Sequence, residues 1–257
     1  MTKTLIVGNW KMNLNVHQAS LYVHELSSEI NHHDDVDVVL APSFIALQTL
    51  SLQVKKHHLS LAAQNCYWRD DGAFTGEVSA TQLRGLVNYV IIGHSERRHK
   101  FGETNKEIRA KVQAVLRNGL IPILCVGETA DERANGETKH VLHDQVSGGL
   151  ANVASDEIHK VVIAYEPVWA IGTGENALPK DVESAEETIR HQVESLYGHK
   201  AATGTKLLYG GSVNSDNASD YLALKGIDGF LVGGASLHVQ QFSSIISKAH
   251  QLKGKKS

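Results

Sequence analysis

Glu166 stands at the mouth of an apolar run, Val161-Val162-Ile163-Ala164, and is followed by a stiff Pro167-Val168-Trp169 segment and a Gly172-Thr173-Gly174 tip. A carboxylate ending a buried strand, with a hinged apolar loop behind it, suits a base that works away from water. Other polar residues fall where other apolar runs end. Asn9 and Lys11 follow the first run and Gly93-His94-Ser95-Glu96 the fourth; Gly210-Gly211-Ser212 follow the seventh and Gly233-Gly234-Ala235-Ser236 the eighth. Taken singly each is bland, since a lone His at a strand end is more often a structural hydrogen-bonder and Gly-Gly more often a turn. Together, a carboxylate, an imidazole and an ammonium suit proton abstraction beside a carbonyl. Glu would be the base, with His and Lys steadying the developing enediolate oxygen. Gly211, Ser212, Gly233 and Gly234 lack bulky side chains, so their backbone N–H groups can approach an anion such as a phosphate closely.

The elements that must bring these residues together recur as a strand pattern followed by a helix pattern. Short apolar runs occur at Leu5–Val7, Val36–Ala41, Leu59–Ala63, Tyr89–Ile92, Leu120–Cys125, Val161–Ala164, Leu207–Tyr209 and Ile227–Val232. Continuous apolar runs of this length suit parallel strands buried on both faces. Between them lie helical faces: Val16, Ala19, Val23, Leu26 and Ile30; Ile108, Val112, Val115 and Leu116; Val182, Ala185, Ile189, Val193 and Leu196; Val239, Phe242, Ile246 and Ala249. Asn118-Gly119 ends the second of these, with glycine free to turn left-handed. Pro122 counts against a strand unless it sits near the strand start. Eight β→α units of about 32 residues each suit a closed (β/α)8 barrel forming one domain over residues 1–257. An open doubly wound sheet is the rival, but its Gly-rich turn after the first strand is replaced by Gly8-Asn9-Trp10-Lys11. In a barrel, the loops after the strands gather on one face, and those after the seventh and eighth often hold phosphate.

Composition narrows the function. The chain has 257 residues, 42% of them hydrophobic and 21% charged, with net charge -3, so nothing in it marks a nucleic-acid binder. The basic tail from Lys253 to Lys256 reads as a frayed end. Cys66 and Cys125 make no disulfide framework and fit a reducing cytoplasm. The start reads as no signal peptide and no stretch is apolar enough to span a membrane. His140 and His143 share a helix face without an evident third ligand, and His32-His33 and His57-His58 read as solvated pairs, so neither a metal nor a cofactor is expected.

The motifs Gly8-Asn9-Trp10-Lys11-Met12-Asn13, Ala63-Gln64-Asn65, Gly72-Ala73-Phe74-Thr75-Gly76-Glu77, Gly93-His94-Ser95-Glu96-Arg97-Arg98, Leu124-Cys125-Val126-Gly127-Glu128, Tyr165 to Gly174, Tyr209-Gly210-Gly211-Ser212-Val213 and Leu231-Val232-Gly233-Gly234-Ala235-Ser236 span nearly the whole chain. In this order they resemble the triosephosphate isomerase family. The resemblance implies cofactor-free interconversion of dihydroxyacetone phosphate and D-glyceraldehyde 3-phosphate, a step of glycolysis and gluconeogenesis. It makes Glu166 the base, His94 the electrophile, Lys11 the source of positive potential and Asn9 a substrate hydrogen-bonder. It assigns the phosphate grip to the backbone of Gly172, Ser212, Gly233 and Gly234.

By the same resemblance Glu96 holds Lys11, and Ser95 holds Glu166 while the site is open. Trp169 and Glu128 anchor the open loop, whereas Tyr209 and Ser212 latch it closed. Ile171 and Leu231 form the apolar clamp that strips water from Glu166 on closure, with core packing equally open for Leu231. Cys125, at a strand end near the rim, is expected to be packed. After Gly174 the chain reads Glu175-Asn176-Ala177, where many members carry a basic or apolar residue and then a small one. These are hinge positions, so the departure bears on closure rate; loop-relaxation measurements on a Lys-Thr exchange there would test this, and unchanged kinetics would refute it. Cys66 to Glu77 matches the loop that members insert into a second subunit, with Thr75 beside the partner's Asn9 and Lys11. A loop carrying Tyr67, Trp68 and Phe74 is costly to leave in water, so a homodimer is expected over a local lid.

Two other readings stay open. Another phosphate-binding barrel, an epimerase or aldolase, is one; an aldolase would need a Schiff-base lysine, for which Lys11 is the only rim candidate. A catalytically silent binding barrel is the other, and the presence of Glu166, His94 and Lys11 together weighs against it.

Overall fold

The computed structural model describes residues 3–30, 33–54, 59–172 and 176–254, and in it eight parallel strands close on themselves in chain order. They are β1 Thr4–Asn9, β2 Val36–Ala41, β3 Leu59–Ala63, β4 Tyr89–Ile92, β5 Ile121–Val126, β6 Val162–Tyr165, β7 Lys206–Tyr209 and β8 Gly229–Val232. Closure is made by β1 and β8, with Leu5 opposite Gly229 and Gly8 opposite Val232. Around the barrel run α1 Val16–Glu29, α2 Phe44–Val54, α3 Ala80–Leu83, α4 Ser95–Phe101, α5 Asn105–Arg117, α6 Ala130–Ala134, α7 Thr138–Leu150, α8 Pro179–Tyr197, α9 His199–Gly204, α10 Ala218–Ala223 and α11 Val239–Gly254. Local signals start several of them. Asn15, Thr104 and Thr129 each accept the N–H three residues on while the side chain there returns the bond, and Pro179 opens α8 without wasting a donor.

The strands look uniformly apolar because each is covered twice. One set of side chains, including Leu5, Val7, Val39, Ala41, Ala62, Ile91, Ile123, Cys125, Val162, Ala164, Leu208 and Leu231, fills the barrel. The alternate set, Ile6, Val38, Leu40, Leu61, Val90, Ile92, Leu124, Ile163, Leu207, Phe230 and Val232, packs outward against the helices. Because strand side chains alternate, counting on by two from the inward set reaches the C-terminal mouth at Asn9, Gln64, Gly93, Gly127, Glu166, Gly210 and Gly233. Polar groups and glycines therefore meet in one layer directly above an apolar plug.

Several expected bounds move by a residue or two. β1 extends to Asn9, so that residue is part of the sheet. Leu120 and Val161 fall before their strands because each N–H closes a turn, to Val115 O at 3.0 Å and to Ile158 O at 3.0 Å. Ile227 likewise precedes β8. Pro122 is the second residue of β5, where it pairs with Val90. Gly119 adopts φ 73° just after α5, as a left-handed helix stop requires.

Leu196 is a correction: it is 45% exposed. The buried face of α8 drifts through Glu186, Gln192 and Val193, so the inward place in the last turn falls to Tyr197, whose hydroxyl donates to Leu150 O at 2.8 Å. His33 is a second correction. It is half-buried rather than solvated, its ring edge-on to His250 at 4.7 Å and its Nε2 3.3 Å from Ser247 Oγ, because α11 packs back over the turn before β2. Lys253 continues α11 in backbone, while His32, His57, His58, Thr173, Gly174, Glu175, Lys255 and Lys256 lie outside the described residues. No helix among the described residues is long and apolar enough to cross a membrane.

Candidate active site

At the C-terminal mouth a cavity of about 350 Å³ is lined by Asn9, Lys11, His94, Glu166, Ile171, Gly172, Ser212, Leu231, Gly233 and Gly234, every residue expected to touch substrate or clamp it. Val213, the last residue of the Tyr209–Val213 motif, lines it without an assigned role, and Asn214 and Gln241 line it although no motif or run end pointed to them.

Glu166 continues β6 by donating its N–H to Val126 O at 2.7 Å, which sets its side chain inward. The side chain is only 2% exposed. Its Oε2 accepts the Ser95 backbone N–H at 2.9 Å, and its Oε1 lies 3.1 Å from His94 Nε2. Ser95 thus holds the base through its backbone, at the first turn of α4 where free N–H groups favour an anion. There is no slack behind the base. A Cβ on Gly127 would fall 1.8 Å from Glu166 O, and one on Gly210 would fall 2.9 Å from Glu166 Cγ. Gln145 on α7 fixes the Gly127 peptide from behind, accepting its N–H at 2.8 Å and donating to its carbonyl at 3.1 Å.

His94 caps α4, and its Nδ1 accepts the Glu96 N–H at 3.2 Å. A nitrogen that accepts carries the lone pair, which assigns the ring proton to Nε2, the atom facing Glu166. Lys11 Nζ reaches Glu96 Oε1 at 3.0 Å. Burial pushes the Glu96 carboxyl up, but the hydrogen bond and charge of Lys11, aided by His94 and Lys100, outweigh it and hold the group below its ordinary range. Lys11 sits at φ 52°, left-handed and unusual for a side chain of its kind, at a cost of about 1–2 kcal/mol. Its N–H donates to Asn9 Oδ1 at 3.1 Å.

The anion wall begins beside Lys11, since a Cβ on Gly233 would lie 3.7 Å from Lys11 Cε and 3.9 Å from its Nζ. Gly233 and Gly234 open a 3-10 turn directly after β8, where first-turn N–H groups have no intrahelical acceptor. Gly172 stands exposed at the loop tip. Beneath the polar layer, Cys125 and Leu231 are barrel-interior residues; Leu231 also faces the cavity, so it serves both as core and as wall. The Cys125 thiol is raised far above its usual value, first by burial and then by the neighbouring Glu166 charge.

With this geometry in place, a profile described as triosephosphate isomerase matches residues 4–249. The chain belongs to the triosephosphate isomerase family. Its curated relatives include the triosephosphate isomerase of Geotalea uraniireducens, 44% identical over 96% of this chain and 98% of the relative. That of Chlorobium phaeovibrioides is 44% identical over 97% of this chain and 100% of the relative. The crystal structure of triosephosphate isomerase from Bartonella henselae superposes with a TM-score of 0.86 at 35% identity, covering 96% of this chain and 98% of that one.

The loop residues named by family resemblance make the following contacts. Trp169 Nε1 donates to Glu128 Oε1 at 2.8 Å, and the Arg133 guanidinium lies 4.0 Å from the Trp169 ring centroid. Ser212 Oγ at the same time donates to Ala170 O at 2.6 Å. Both contacts are made at once, and Ala170 belongs to the base of the loop, ahead of its tip. Tyr209 is fully buried and is not part of this cavity's lining; its ring packs on Tyr221 at 4.4 Å, and its hydroxyl occupies the space a Cβ on Gly211 would need. Thr75 is exposed on the loop after β3.

Proposed function

We propose that this isomerase interconverts dihydroxyacetone phosphate and D-glyceraldehyde 3-phosphate with Glu166 as base, His94 as electrophile and Lys11 and Asn9 as substrate-orienting groups. The observation that carries the reading is the meeting of Glu166, His94 and Lys11 in one small cavity whose lining also includes Gly172, Ser212, Gly233 and Gly234. The phosphate rests on the N–H groups of Gly172, Ser212, Gly233 and Gly234, which leaves the three-carbon end over the acid–base groups. Glu166 exchanges its bonds to Ser95 and His94 for the substrate and takes the proton from C1. The C–H electron pair becomes the C1–C2 double bond, and the carbonyl pair moves onto its oxygen, where His94 Nε2–H and the Lys11 ammonium stabilise it. The hydroxyl proton passes between the two oxygens by way of His94. Glu166 then returns its proton to C2, which completes a redox-neutral shift within one molecule. Ile171 and Leu231 supply the apolar side of the cavity that keeps water from the carboxylate.

A coupled assay for the two triose phosphates tests this. Glu166→Gln should lower turnover by at least about 10²-fold while phosphate binding survives, because its donors lie on other loops. A near-normal rate would refute the assignment of the base.

We also infer a homodimer and a cytoplasmic setting. Met12, Phe44, Ile45, Phe74 and Phe101 are all exposed, and they sit after β1, β2, β3 and β4, four neighbouring strands. Apolar groups clustered on one side of the mouth are what a partner subunit would cover. The loop from Cys66 to Glu77, with Thr75 at its tip and Tyr67 stacked on Trp68 at 4.0 Å, supplies the protruding part. The two cysteines are free and buried, in keeping with a reducing compartment.

A further inference from the structure

Gln64 is the first residue past β3, and its side-chain amide bridges the ends of the two preceding strands. Its Nε2 donates to Lys11 O at 2.8 Å and to Ala41 O at 2.8 Å. Two carbonyl oxygens within reach of one side-chain end admit only the NH2, so both amide hydrogens are spent on backbone. Ala41 O also accepts the Trp10 N–H at 3.1 Å, so the Gln64 amide, the end of β2 and the segment leaving β1 share one knot.

Lys11 needs such a knot. It holds φ 52°, and its ammonium must reach both the cavity and Glu96. Asn9 Oδ1 fixes its N–H and Glu96 its tip, which leaves the carbonyl as the remaining handle, and Gln64 grips it. Released, the peptide after Lys11 is free to rotate toward ordinary negative φ, which swings the long side chain away from the reacting oxygens. We propose that Gln64 is a positioning residue for Lys11: it touches no substrate and acts on the rate only by holding Lys11 in its left-handed conformation. The next residues, Asn65 onward, lead into the loop that the dimer proposal places at the interface, so the same side chain links that loop to the ammonium.

This inference rests on the assignment of Lys11 above, and a double-mutant cycle separates the two. kcat and KM are measured for the full-length protein, Gln64→Leu, Lys11→Ala and the double variant, with thermal midpoints taken alongside. A misplaced ammonium should cost about tenfold or more in kcat/KM, so Gln64→Leu falls by that factor with Lys11 present. In the Lys11→Ala background the same change should cost less than about twofold, because the group that Gln64 positions is gone. Gln64→Met, which also lacks donors but keeps the unbranched shape, gives the same pattern should the leucine variant fold poorly. Equal losses in both backgrounds would mean a purely structural role and overturn the proposal. An unchanged rate in Gln64→Leu and Gln64→Met would overturn it as well. An unchanged rate in Lys11→Ala would instead refute the assignment of Lys11 itself.

Discussion

Cys66, at the start of the loop after β3, shows how far a single residue's chemistry is set by its surroundings. Burial pushes its thiol up to about 12, only partly offset by the Lys111 and Arg117 charges. The Cys125 thiol and the hydroxyls of Tyr165 and Tyr209 are raised for the same first cause, loss of water. For such groups the unfolded chain loses its proton at lower pH than the folded one. Their contribution to stability is therefore complete below the unfolded value, about 8.5 for a thiol, and drains away as pH rises toward the folded value. Urea midpoints should fall between pH 8 and pH 10.5, and Cys66→Ala should flatten that fall; parallel curves for the two proteins would contradict a protonated Cys66. At this scale the motifs named residues that the structure places together, Glu166 and His94 in the cavity and Glu96 on Lys11. The sequence was silent where the residue acts by a hydrogen bond to distant backbone. Gln64 stood in a recognised motif without a role, since its partners Lys11 and Ala41 are 53 and 23 residues away.

Among the elements, α8 marks the limit of reading periodicity. Val182, Ala185, Ile189 and Val193 are buried as their spacing requires, yet Leu196 faces water and Tyr197 takes the inward place. A helix advances 100° per residue, so steps of three and four both stay near one face, and which is used in the last turn depends on what the helix meets there. Leu196→Gln should change stability by no more than about 0.5 kcal/mol, whereas Ile189→Ala should cost about 2–5 kcal/mol. Chemical denaturation of the two variants checks this, and comparable losses would place Leu196 in the core after all. The strands were legible as runs, with ends blurred by one or two residues where a turn hydrogen bond competes with the ladder. Their inward–outward alternation was not legible, because helices cover the outer face and both sets are apolar.

For the whole molecule the open question is assembly. Five exposed apolar side chains after four consecutive strands are a large apolar area for a soluble monomer. Sedimentation at micromolar concentration should return twice the mass of the 28.0 kDa chain. A stable, active monomer would refute the dimer. Closure of the barrel is what makes the site one place: β1, which ends at Asn9 and leads to Lys11, is brought beside β8, which leads into Gly233 and Gly234, although more than two hundred residues separate them.

The sequence by itself determined the eight alternating units, the residue types at their C-terminal ends and the family, because strand burial and glycine-rich rims leave marks in local pattern. Only the tertiary structure decided which face of each strand looks inward, which nitrogen of His94 carries the proton, that Ser95 binds Glu166 through its backbone, and that Gln64 donates to the Lys11 carbonyl. These depend on hydrogen bonds and packing between segments far apart in the chain, and no local pattern records a partner that folding alone brings near.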